Sequence, residues 1–245
     1  FRVSGAQPHL WDPVTGETRI LNAFEDNGTL TTLSLEFDKY QSFFIVFEPK
    51  DHIKSSGKPN FYETEDIQTL EGPWTVHFDE EWGGPAETIF ETLTDWSKNS
   101  EEGIKYYSGT ASYSKSFDFN GGKGNGKVFL NLGKVKIMAK VWLNGKDLGI
   151  VWTDPWRVDI THVVKKGKND LRIDVVNQWA NRLIGDEFKS YDGIINGQWP
   201  EWLLKGEKRP SDRFTFSSAW HYNQDSPLLE SGLMGPVTIS KEIIH

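Results

Sequence analysis

Apolar and polar residues alternate with a period of two along most of this chain, the mark of strands with one buried face. Leu33, Leu35 and Phe37 share one parity, and Ser42–Phe47 is a short apolar run. Ala111, Tyr113, Phe117 and Phe119 alternate with polar partners, interrupted by Lys115, and Val128, Leu130 and Leu132 follow. The clearest stretch is Val135–Leu143, where Val135, Ile137, Ala139, Val141 and Leu143 face one way and Trp142 with its lysine neighbours the other. Asn144-Gly145 comes next, a two-residue hairpin signal because both residue types tolerate positive φ. Leu148–Trp152 is the expected return strand, Leu171, Ile173 and Val175 another, and Val237 with Ile239 the last, entered through Gly235-Pro236. Helical periodicity is nearly absent. Asp159–Val164 can form a single turn stopped by Gly167. Many short strands joined by Gly, Pro and Asn turns predict an all-β chain, an antiparallel β-sandwich or jelly roll.

The pattern also suggests divisions. Residues Glu48–Glu65 are polar and hold Pro49, Ser55-Ser56-Gly57 and Pro59, which reads as a linker, set at 51–65. Residues 1–50 hold too few strands for a free-standing core and are expected to be the C-terminal strands of an upstream β-domain, the alternative being strands docked on the main one. Residues 66–245 are expected to form the main sandwich. Inside it, Gln178–Glu230 is long and irregular, the kind of loop that carries function or caps a core.

Composition narrows the chemistry. The 245 residues carry 27 Lys and Arg against 35 Asp and Glu, a net charge of −8, with no basic block to neutralise phosphates, so no nucleic-acid partner is expected. There is no Cys, which removes disulfides, thiolate metal sites and a Cys nucleophile. No apolar run approaches the ~18 residues of a membrane span. The start, Phe1-Arg2-Val3, lacks an initiator Met and a signal-peptide pattern, so a mature or truncated piece of something longer is expected. Aromatics are abundant, 11 of them Trp.

Several motifs dissolve on inspection. Gly121–Lys127 imitates a phosphate-binding loop, but Val128 stands where the magnesium-binding Ser or Thr belongs, and strands flank it on both sides. The six His residues show no metal-ligand spacing, and no Gly-x-Ser-x-Gly elbow exists. Asn27-Gly28-Thr29 is a formal glycosylation triplet that reads more simply as a turn. Among the carboxylates that glycoside hydrolysis would need in pairs, Asp79, Glu80, Asp186, Glu187 and Glu201 are candidates, and sequence alone pairs none across a cleft.

One cluster has the right mixture for sugars. Trp179, Asn181, Arg182, Asp186 and Glu187 stand within nine residues at the end of a strand. An indole face stacks on the C–H face of a pyranose, and planar amide, guanidinium and carboxylate groups bind paired hydroxyls. Trp199 and Trp220, with Trp202 between them, lie in the same long loop. The alternative is that Trp179 is core and Arg182–Asp186 an internal ion pair. Trp142, Trp152 and Trp156 offer a further aromatic surface, or packing beneath loops.

Specific stretches resemble a known family. Gly72-Pro73-Trp74-x-Val76-x-Phe78-Asp79, Gly109-Thr110-Ala111-x-Tyr113-x-Lys115-x-Phe117, Val141-Trp142-Leu143-Asn144-Gly145-Lys146-x-Leu148-Gly149, Pro155-x-Arg157-Val158-Asp159-Ile160-Thr161 and Asn169-Asp170-Leu171-x-Ile173-x-Val175-x-Asn177 resemble the sugar-binding, galactose-binding-like jelly roll of family 2-type glycoside hydrolases. Trp179-x-Asn181-Arg182-Leu183-Ile184-Gly185-Asp186 and Ser226–Val237 resemble the C-terminal module of large bacterial α-L-rhamnosidase-like enzymes of the family 106 type, and Leu10–Glu17 the β-domain after their catalytic barrel. The resemblance implies a non-catalytic carbohydrate-binding or supporting module of a glycoside hydrolase acting on plant-type polysaccharide. It implies catalytic residues upstream of Phe1, an upstream catalytic domain as partner, and a periplasmic or secreted location. It implies no cofactor; structural calcium suits such jelly rolls, but no ligand-rich loop marks a site. The alternatives are a purely structural module without sugar affinity and a self-contained glycosidase using Asp186 and Glu187.

Overall fold

The computed structural model describes residues 1–49, 55–121, 125–218 and 221–244. In chain order the strands are β1 Ala6–Trp11, β2 Thr18–Ile20, β3 Phe24–Asp26, β4 Thr31–Leu33, β5 Phe44–Pro49, β6 Thr64–Thr69, β7 Trp74–His77, β8 Thr88–Phe90, β9 Thr110–Phe119, β10 Val128–Asn131, β11 Lys134–Lys136, β12 Met138–Leu143, β13 Lys146–Val151, β14 Arg157–Asp159, β15 Gly167–Val176, β16 Gly232–Gly235 and β17 Thr238–Glu242. Among the described residues three short α-helices interrupt them, α1 Glu102–Lys105, α2 Ala180–Asp186 and α3 Glu201–Leu204, with single 3-10 turns at Glu80–Trp82 and Trp96–Lys98.

Two antiparallel sheets make the sandwich, one of six strands in the order β13-β12-β15-β9-β7-β8 and one of four in the order β14-β10-β17-β6. The alternation dictates this. Ala111, Tyr113, Phe117 and Phe119 of β9 and Leu171, Ile173 and Val175 of β15 turn inward, where they meet Val128, Leu130 and Ile239 from the other sheet in one core. β9 and β15 pair along ten residues, from Gly167↔Phe119 to Val176↔Thr110, and form the spine of the larger sheet. Trp74, Trp96, Tyr107 and Tyr113 are fully buried, with the Trp96 Nε1–H donating to Tyr113 Oη at 2.6 Å. Packing this dense suits edge-to-face rings, and Phe78 meets Tyr107 that way at 4.8 Å. The all-β antiparallel sandwich expected from the sequence is the fold.

The Asn144-Gly145 hairpin forms as read. Leu143 pairs with Lys146 across a two-residue turn whose φ angles are 53° and 79°. The Asn144 amide also donates to Val163 O (3.0 Å) and Asn169 Oδ1 (2.8 Å), tying the tip to the turn after β14. That turn is where the single helical turn was expected: Asp159 Oδ1 accepts from Thr161 N at 2.9 Å, and Ile160 O accepts from Val163 and Val164 N.

Three readings change. Val135–Leu143 is two strands rather than one. β11 pairs with β16, and β12 joins the six-stranded sheet. The parity survives the break, since Val135, Ala139, Val141 and Leu143 are all buried. The Leu33–Phe37 alternation yields only β4, because Phe37 leaves the ladder to pack on Phe43 at 5.3 Å. The Gln178–Glu230 stretch is not wholly irregular, for it contains α2 and α3. Seven residues holding an Asn and a Gly are too few and too poor in helix formers to register as a period of 3.6.

The N-terminal residues build a separate three-stranded sheet, β2-β1-β5, and the β3-β4 hairpin. The described part of the expected linker is stitched onto them. Ser56 N donates to Asn22 O at 3.0 Å, and Asn60, buried, exchanges bonds with the Ala23 backbone in both directions at 2.9 and 2.6 Å. Residues 50–54 of that linker, and Gly122-Lys123-Gly124 of the imitation phosphate loop, lie outside the described residues.

Candidate functional site

The sugar-like cluster sits on α2, which leaves the end of β15 and lies against the sandwich. Asn177 fixes this exit. Its side chain accepts from Gly109 N at 2.9 Å and donates to Tyr107 O at 2.8 Å. Ser108 Oγ then donates to Gln178 O (2.8 Å) and accepts from Arg182 N (3.1 Å), locking the first turn of α2. Gly185 lets the helix approach closely, since a Cβ there would stand 2.6 Å from Tyr106 Cβ.

A helix turns about 100° per residue, so the four polar residues of the cluster do not all share one face. Asn181 is buried and saturated. Its Nδ2 donates to Leu229 O (2.8 Å) and Ser231 Oγ (3.0 Å), and its Oδ1 accepts from Leu229 N (2.8 Å). Asp186 is fully buried, and its Oδ2 accepts from Phe214 N (3.0 Å), Thr215 N (2.7 Å) and Thr215 Oγ1 (2.7 Å). Arg182 is buried with its guanidinium 4.7 Å from the centre of the Phe214 ring, and its Nε has no hydrogen-bond partner among the described residues. Burial pulls the Arg182 pKa below its ordinary value, partly offset by the nearby Asp186 charge. The contemplated Arg182–Asp186 ion pair does not form, because each group has turned to the Phe214-Thr215 segment instead. Glu187 is held by Arg213, which also lies over Tyr191. These four polar residues therefore tie the long loop to the sandwich rather than open onto solvent. Expected ligand contacts from Asn181, Arg182 and Asp186 are corrected accordingly: all three side chains are buried, although Arg182 Nε and Asp186 Oδ1 have no hydrogen-bond partner among the described residues.

The tryptophans differ. Trp179 is 51% exposed, with its ring edge-on to Trp82 at 5.0 Å. Trp199 is equally exposed and stacks parallel on Phe216 at 5.7 Å. Trp202 turns inward enough for its Nε1–H to reach Asp192 O at 2.9 Å. Trp220 lies outside the described residues. A second clasp holds this loop. Arg209 makes a two-pronged bond to Asp192 at 2.6 and 2.8 Å, and Ser211 Oγ adds a third at 2.6 Å. The Arg209 bond, with Ser211's and despite some burial, holds the Asp192 carboxyl below the usual carboxylate range.

Other aromatics noted in the sequence divide in the same way. Trp142 does stand on the outer face, but Arg172 lies 3.8 Å and Lys140 4.8 Å from its ring centre. Trp152 is exposed, and Trp156 packs on the core. Asp79 caps the turn at Glu80–Trp82, and Glu201 pairs with Lys205 at 2.6 Å. Among the described residues, no group of three His, Asp or Glu stands ready to hold a metal ion, and no helix is long and apolar enough to cross a membrane. Three cavities, of about 360, 740 and 490 Å³, are lined by other residues than the predicted cluster. The first lies between the N-terminal strands and the sandwich; sequence offered no sign of it, since its walls come from five separated segments.

Comparison with known proteins fits this geometry. Residues 92–226 match the family described as glycosyl hydrolase 2 galactose-binding domain-like. A protein of Formosa agariphila provisionally named a beta-glucuronidase is 45% identical over 177 residues, 70% of this chain and 15% of its own. The solved structure of a rhamnosidase from Novosphingobium sp. PP1Y superposes on 99% of this chain with a TM-score of 0.83 and 33% identity, over 21% of its own length. The chain thus spans about 15% of the first of these proteins and 21% of the second.

Proposed function

The chain belongs to the glycosyl hydrolase 2 galactose-binding domain-like family, and from that premise we propose that it is a non-catalytic module of a larger glycoside hydrolase, contacting carbohydrate and supporting the catalytic part. The observation that carries this reading is Trp179. Its indole is half exposed on a rigid seat, fixed by Trp82 and by a helix whose polar residues are spent on internal bonds. A preorganised aromatic face loses little entropy on stacking against a sugar ring. Trp199, backed by Phe216, offers a second such face on the same long loop. Beyond these, the substrate of the whole enzyme belongs among plant-type polysaccharides, rhamnosides included, and its location is periplasmic or extracellular, which fractionation of the native host checks.

Calorimetric titration of the 245-residue chain with plant-glycan oligosaccharides tests the reading. Trp179→Ala should weaken binding about tenfold, the loss of one stacking contact, while circular dichroism stays unchanged. Equal heats from both proteins would remove Trp179 from the site.

A second reading has its own support. Phe188, Ile195, Leu203 and Leu204 are exposed on the same long loop as Trp179 and Trp199, more apolar exposure than a free module needs. Docking against the rest of a hydrolase would cover it. Absence of heat with every oligosaccharide, together with tight association of the chain with the remaining hydrolase polypeptide, would favour this purely structural role.

A further inference from the structure

The cavity of about 360 Å³ between the N-terminal strands and the sandwich falls within the range of small-molecule sites. One wall is a continuous aromatic row. Phe43 packs on Phe37 at 5.3 Å and on Phe61 at 6.4 Å, and the Arg19 guanidinium closes the row 4.7 Å from the Phe61 ring centre. Phe37 is 56% exposed at the rim, with its position set from behind by Phe43.

The rest of the lining is ionic, and the pairing inside it decides which ligand fits. Lys127 is spent on Glu17 at 3.0 Å and Asp159 at 3.7 Å, and Arg157 on Asp38 at 3.7 Å. The Asp12 carboxylate accepts from Val14 N and Thr15 N of its own turn. That leaves Arg19, whose one hydrogen bond goes to the neutral Asn60 carbonyl, and Glu36 and Glu63, which have no side-chain partner among the described residues. Arg19 is half-buried, and its desolvation draws the guanidinium pKa down, partly offset by the nearby Glu17 and Glu242 charges, with neither of which it forms an ion pair. One unpaired cation faces two unpaired carboxylates, so an anionic ligand meets net repulsion. A neutral ligand rich in hydroxyls meets donors, acceptors and a stacking wall together.

We propose that this junction is a binding site for a neutral pyranose unit, stacked on Phe37 and Phe43 and hydrogen-bonded by Arg19, Glu36 and Glu63. The site is separate from Trp179, and it shares with the reading above only the class of ligand. Its walls come from both the N-terminal segment and the sandwich, so an occupied site would also fasten the two together.

The test is calorimetric titration of the 245-residue chain with galactosyl and rhamnosyl disaccharides and with glucuronic acid, alongside amide shift mapping by NMR. Phe37→Ala and Glu36→Gln change exposed side chains and should each weaken neutral-sugar binding about tenfold, with shifts at Arg19 and Thr64, while Trp179→Ala leaves this binding unchanged. Loss of all binding in Trp179→Ala with none in Phe37→Ala would overturn the junction site and leave the Trp179 surface standing. Glucuronic acid binding more tightly than the neutral sugars, or no neutral binding at millimolar concentration, would also overturn it. Mapping covers the case in which Phe37→Ala disturbs the fold.

Discussion

At the scale of single residues, the molecule separates polar groups that hold it together from those that remain available. Asn181 makes three hydrogen bonds to the Leu229–Ser231 segment, fifty positions away in sequence. Replacing it leaves buried backbone groups unpaired, so Asn181→Ala should lower stability by about 2 kcal/mol, read as the midpoint shift in urea unfolding. Asp192 gives a pH signature. Its folded pKa lies below the usual value of 3.8 because of the Arg209 bond. An unfolded chain therefore takes up a proton first as pH drops. The stabilisation is present above 3.8 and fades as pH falls through the depressed folded value. The melting temperature of Asp192→Asn should lie below that of the parent at pH 7 and converge with it near pH 2. A constant gap across that range would refute the linkage.

At the scale of elements, local pattern and local geometry agree wherever a strand is long or a turn is tight. The β12–β13 hairpin was legible because its two turn residues must both take positive φ, and Asn-Gly is the pair that does so at least cost. Gly145→Ala places a Cβ on a residue at φ 79° with open space around it. The loss should therefore be purely conformational, about 1 kcal/mol, visible in thermal melts without any change in the core. α2 was illegible for the opposite reason. Its seven residues are helical because Asn177, Ser108 and the Leu229–Ser231 segment receive it, partners that no window of sequence contains. The break at Ile137 is similar. The alternation runs through it without interruption, and only the choice of partner, β16 before it and β15 after, divides the strand.

At the scale of the whole molecule, the Asp186 and Glu187 carboxylates that the sequence offered are not free to do glycosidase work. Asp186 is sealed behind Phe214 and Thr215, and Glu187 is engaged by Arg213. The 245-residue chain should give no turnover of aryl rhamnosides or aryl glucuronides above the buffer rate; measurable release of the aryl group, lost in Glu187→Gln, would restore the self-contained enzyme. The ion pairs that bridge the N-terminal strands to the sandwich are partly exposed, Lys127 with Glu17 and Arg157 with Asp38. Such pairs contribute little by themselves, so Lys127→Met should leave the melting temperature nearly unchanged.

The sequence by itself determined the predominance of strands, the inward parity of β9, β10, β12 and β15, the Asn144-Gly145 turn and the stretches that mark the family. All of these follow from backbone sterics and from a period of two, which act between near neighbours. Only the tertiary structure decided the direction of the polar groups around Trp179. The same five residue types could bind a sugar on an open loop or brace a helix against a sheet. The choice fell to Ser108, Phe214, Thr215 and Leu229, whose backbone and side-chain groups needed partners once buried. The junction cavity is likewise a product of the fold alone, because Arg19, Phe37, Phe61 and Arg157 become neighbours only when two sheets meet.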